Sequence, residues 1–75
     1  MRKETIRELV NTAEKRVAHC RQFIERQSRF VEDSHCAGKA EAERLARHIL
    51  MILVRIRLSR EAELERLLRK LSLAS

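Results

Sequence analysis

Two His-Cys pairs, His19-Cys20 and His35-Cys36, are the residues of this 75-residue chain whose types come nearest to a site for chemistry. Two thiolates and two imidazoles complete the ligand set of a structural zinc ion. Their spacing opposes it. Cys20 and Cys36 are 16 positions apart in mostly helix-forming sequence, on the order of 20 Å along a helix. Neither one tetrahedral ion nor a disulfide spans that distance. Adjacent residues on a helix point about 100° apart, so each pair alone chelates poorly. We therefore expect no metal and no cofactor. Cys20 reads as a small core residue and Cys36 as a thiol in a turn. There is no glycine-rich phosphate cradle, no nucleophile with a base and an orienting acid, and no buried acid pair, so the chain is expected not to be an enzyme.

The second candidate chemistry is phosphate binding. Lys plus Arg number 17 against 11 Asp plus Glu, a net charge of +6. Arg44, Arg47, Arg55, Arg57 and Arg60 follow one another with no acid between the first and the last. Such a run raises the expectation of an anionic partner and says nothing of the fold. On a helix, however, Arg44 and Arg55 point one way and Arg57 and Arg60 roughly the other, which splits the charge. Only Phe23 and Phe30 are aromatic, which leaves little for base stacking. Contact of these five arginines with nucleic acid is the alternative reading. The competing one is a solvated helix surface braced by Glu–Arg pairs, for example among Glu61, Glu65, Arg66 and Arg69.

These residues must be positioned by helices. Proline is absent, glycine occurs once, at Gly38, and Ala, Leu, Glu, Arg and Lys dominate, a composition that favours helix and offers little turn chemistry. Ile6, Val10, Ala13, Val17, Cys20, Ile24, Gln27 and Val31 alternate spacings of four and three. That heptad pattern predicts a long helix over about 3–32 packed as in a coiled coil, with Leu9, Phe23 and Phe30 widening its stripe. Residues 33–38, Asp-Ser-His-Cys-Ala-Gly, interrupt the pattern with the glycine and two helix-capping residue types, and predict the turn. A second helix, about 39–72, follows from Ala42, Leu45, Ile49, Ile52, Leu53, Ile56, Leu64, Leu67 and Leu71. Arg60 falls where an apolar residue is due, and predicts a stutter or an inward-packed stem with its guanidinium reaching water. Residues 1–75 thus form one all-α domain, an antiparallel two-helix hairpin.

Glu14-Lys15-Arg16-Val17, the Ser34-His35 pair and Ala40-Glu41-Ala42-Glu43-Arg44-Leu45 resemble a group of short uncharacterised bacterial two-helix proteins. Members of that group carry Gly-His at the turn, followed by an Ala-rich helix start ending in Leu. Here Ser34 stands in place of the Gly, and the stretch Cys36-Ala37-Gly38-Lys39 is longer. The resemblance covers residues 13–68 and implies a helical hairpin; it brings no activity with it.

The stretch His48-Ile49-Leu50-Met51-Ile52-Leu53-Val54-Arg55-Ile56 is the most apolar in the chain. It is far short of the about 20 residues that a membrane span requires, and it is flanked by cations. Ile49, Ile52, Leu53 and Ile56 are expected to face the first helix. Met51, Val54 and Leu58, with Leu50 at their flank, are expected to be left for a second chain, most simply in a two-fold homodimer that forms a four-helix bundle. The opening MRKETIREL has no apolar leader core, so a reducing cytoplasmic location is expected, with both cysteines free. The sequence therefore reads as a small non-enzymatic helical module that self-associates and binds another helical protein.

Overall fold

The computed structural model describes residues 2–74. Two helices, α1 (Lys3–Cys36) and α2 (Ala40–Ala74), form an antiparallel hairpin 55 × 14 × 12 Å. The turn is shorter than expected: α1 runs on through Asp33 and Ser34, and only residues 37–39 lie between the helices. Gly38 explains the sharp stop. At φ +69° it adopts the left-handed conformation that costs a side-chain-bearing residue about 1–2 kcal/mol. The Gly38 N–H then bonds the His35 carbonyl at 3.1 Å and the Lys39 N–H bonds the Ser34 carbonyl at 3.0 Å, which ties off the last turn of α1 as a Schellman motif.

The heptad read in α1 is the one that packs. Ile6, Val10, Ala13, Val17 and Val31 are buried; Cys20, Ile24 and Gln27 are partly buried; Ser34 continues the series at the turn and is buried too. With Val10, Val17, Ile24 and Val31 labelled a, the other stripe is d. Gln27 would be a costly polar group at a d position, but its Nε2 donates to the Ala46 carbonyl at 3.0 Å. Ala46, only 1% exposed, is small enough to leave that carbonyl within reach.

In α2 the packed stripe is shifted by one position in its first half. The covered residues are Glu43, Ala46, Leu50, Leu53, Arg57, Arg60, Leu64, Leu67 and Leu71, again spaced by three and four. Leu53, Leu64, Leu67 and Leu71 lie where the sequence placed them. Ile49, Ile52 and Ile56 do not: they are 41%, 44% and 40% exposed, and do not face α1 as expected. The reason is continuity. Tracing a heptad back from Leu64 leads through Arg60, Arg57, Leu53 and Leu50. Putting Ile49, Ile52 and Ile56 inside as well would require a break in the periodicity, and α2 is unbroken. Arg60 is accordingly partly buried with no stutter, the inward-stem alternative.

Arg57 lies in the seam with its Nε buried and without a hydrogen-bond partner. Its nearest carboxylate oxygen, on Glu61, is 3.7 Å away, too far for a hydrogen bond. The side chain is otherwise one third exposed, so it is the unpaired buried N–H, not a desolvated charge, that weakens the seam. Arg57→Leu is therefore expected to raise the stability of the folded chain in urea by about 1 kcal/mol. A lower unfolding midpoint would show that the attraction to Glu61 outweighs the unpaired N–H.

Near the turn, Glu43 accepts from Arg47 Nε and meets His35 Nδ1, both at 2.8 Å, which clamps the two helices together. Hydrogen bonding from Arg47 first, and from His35 second, holds the Glu43 carboxyl below its ordinary pKa of 4.5. The stability this gives is present above that value and is lost as pH falls through the lowered folded-state value. Glu43→Gln is expected to flatten the dependence of the unfolding midpoint on pH below about 4.5. An unchanged acid limb would assign it to other carboxylates.

Candidate association surface

Labelling the packed stripe of α2 in the same way, with Glu43, Leu50, Arg57, Leu64 and Leu71 at a, gives the flanking positions e and g. In an antiparallel pair the e positions of both helices line one side of the seam and the g positions the other. Two observations fix this here. Arg21 and Glu61, both e, form an ion pair across the helices at 3.5 Å. Phe30 and Ala42, both g, line one shallow hollow beside the turn.

The two sides differ in chemistry. The e side carries the polar links of the seam: Arg21–Glu61, Arg57–Glu61 and the His35–Glu43–Arg47 cluster. The g side of the turn-proximal half carries Phe23 and Phe30 from α1, with Ile49 and Ile56 from α2 and with Leu45 and Ile52 at the neighbouring c positions. All six are between 40% and 62% exposed. Nothing among the described residues covers them. Toward the open end the same side turns basic, with Arg16, Arg66 and Lys70 against one acid, Glu63.

Of the four residues expected from sequence to form the association surface, Met51, Val54 and Leu58 stay neighbours on the e side of α2, and Leu50 enters the packed stripe. Met51 and Leu58, each 55% exposed, lie on the outer flank of the e side, whereas Leu50 and Val54 are partly buried toward α1. Phe23 and Phe30, expected to widen the core stripe, are instead 54% and 53% exposed beside it. Sequence reasoning therefore missed the larger apolar face. The signal that could have found it was the repeat of Leu9, Phe23 and Phe30 at one heptad position, combined with the like-with-like flanking rule for antiparallel helices.

The five arginines are not brought together. Arg47 is bonded to Glu43 and Arg57 lies beside Glu61, while Arg60 packs along the seam. Only Arg44 and Arg55 are exposed and outside the ion pairs among the described residues. Glu65 braces Arg69 at 2.8 Å as the surface-pair reading expected, but Glu61 serves the seam. Cys20 is partly buried and Cys36 exposed, both as free thiols. Among the described residues no three His, Cys, Asp or Glu side chains gather as a metal cage. No helix is long and apolar enough among them to cross a membrane.

An accessible surface of 6037 Å² also bears on association. A compact monomer of 8.9 kDa exposes about 4800 Å². The excess, about 1200 Å², comes from the elongated 55 × 14 × 12 Å shape, which leaves both flanks of the seam open to a partner. Comparison with protein-family models, with curated proteins and with solved structures finds no match for the chain, so the two-helix fold and its larger apolar face are what its function has to be argued from.

Proposed function

We propose that the chain is a small non-enzymatic helical association module. It self-associates through the g side of its turn-proximal half, and the resulting bundle presents helical surfaces to another protein. The observation that carries this reading is the asymmetry of the hairpin: ion pairs bridge the seam on one side, beside the exposed Met51, Leu58 and Leu68, whereas the other side brings two phenylalanines, three isoleucines and a leucine together in water. Apolar clusters of that size mark association sites. Aromatic residues flanked by aliphatic ones are the usual energetic centre of an interface. The alternative, nucleic-acid binding through the arginines of α2, has less support, because three of its five arginines are engaged in the seam or with carboxylates.

Sedimentation of the purified chain at tens of micromolar is expected to show an oligomer. Phe23→Glu with Ile49→Glu places two unpaired charges in the contact and is expected to weaken association at least ~100-fold. Met51→Glu with Leu58→Glu is expected to leave it nearly unchanged. The opposite ranking would move the interface to the e side, and a wild-type monomer would end the proposal.

A further inference from the structure

The exposed face has a symmetry of its own. Leu45, Ile49, Ile52 and Ile56 are spaced by four, three and four, a pattern that, like any heptad stripe of four residues, reads the same in either direction along the helix. Its midpoint lies between Ile49 and Ile52. The midpoint of Phe23 and Phe30 lies between Arg26 and Gln27, and the Gln27–Ala46 hydrogen bond fixes how the two helices are aligned. That alignment places both midpoints at the same height on the hairpin, to within about one helical turn.

We infer that the occupant of this face is a second copy of the chain, packed antiparallel about a two-fold axis through that common midpoint. This deepens the self-association reading and rests on it. Around such an axis α2 lies against α2 of the other copy. Leu45 of one then meets Ile56 of the other, Ile49 meets Ile52, and Phe23 meets Phe30. A self-complementary patch is what an isologous interface requires. Charge at the open ends favours the same arrangement, although the axis repeats Arg26 across it, so that this exposed side chain must turn its guanidinium out to water. Stacking two hairpins with both turns at one end would set Arg16, Arg66 and Lys70 of each copy against the same residues of the other, with only Glu63 to offset them, and like charges in an interface are costly. In the antiparallel dimer the two hairpins overlap over about 40 Å from the turn, and Arg66 and Lys70 project beyond the overlap at opposite ends. The midpoint lies nearer the turn than the open end, so the dimer is about 70 Å long, against 55 Å for one hairpin.

The test uses chains carrying Cys20→Ala and Cys36→Ser, with one new cysteine each and a short thiol cross-linker. A mixture of Leu45→Cys and Ile56→Cys chains is expected to cross-link chiefly between the two kinds, and small-angle scattering of the wild type should give a maximum dimension near about 70 Å. A dimer close to 55 Å long, in which Ile52→Cys joins Phe23→Cys, would overturn the antiparallel arrangement while leaving self-association intact. A particle of more than two chains would also overturn it. A monomer at tens of micromolar would overturn both, and would leave the face to a different protein.

Discussion

The unbroken heptad of α2 is the constraint on which the rest depends. Three leucines, Leu64, Leu67 and Leu71, commit the second half of the helix to one stripe against α1. A continuous helix carries that stripe backwards at fixed spacing, so the first half must present Glu43, Ala46, Leu50, Leu53, Arg57 and Arg60 whatever else the local sequence offers. Two arginines enter the seam as a result, one with a buried Nε that bonds nothing. The more hydrophobic isoleucine stripe is turned outward. The hairpin thus forgoes its best packing residues in order to keep its periodicity.

That choice makes the molecule two-sided. The long polar side chains admitted to the seam reach out along the e side, where Glu61 receives Arg21 and lies beside Arg57, and Glu43 receives Arg47 and His35. The displaced apolar residues collect on the g side, where α1 adds its two phenylalanines. A seam in which α2 buries only Ala46 fully supplies a thin core for 75 residues, and small domains of this size commonly draw stability from association. The exposed face and the thin core are two consequences of one register, and an association through the g side would resolve both.

Much of this was legible in the sequence. The α1 heptad, from Ile6 through Val31, was read residue for residue, because β-branched residues at one position and polar residues at most others leave one choice of face. The hairpin and Gly38 at its turn followed from the single glycine. The turn itself was drawn too long, because Asp33 and Ser34 look like caps, yet the chain stays helical until glycine permits the left-handed residue. The facing stripe of α2 was misread between residues 49 and 56, since a run apolar on every side carries no local periodicity and only the distant leucines set its register. The same shift bears on the expected association residues: Met51 and Leu58 are exposed with Val54 partly buried beside them, and Leu50 joins the seam.

The central claim is that this hairpin is completed by apolar contact with another copy of itself. Thermal unfolding followed by circular dichroism at several protein concentrations tests it most directly, because association with the folded state makes the midpoint depend on concentration by mass action. The account predicts that each tenfold rise in concentration stabilises the folded state by about 1 kcal/mol and lifts the midpoint by several degrees. A midpoint that stays constant as concentration rises would contradict it.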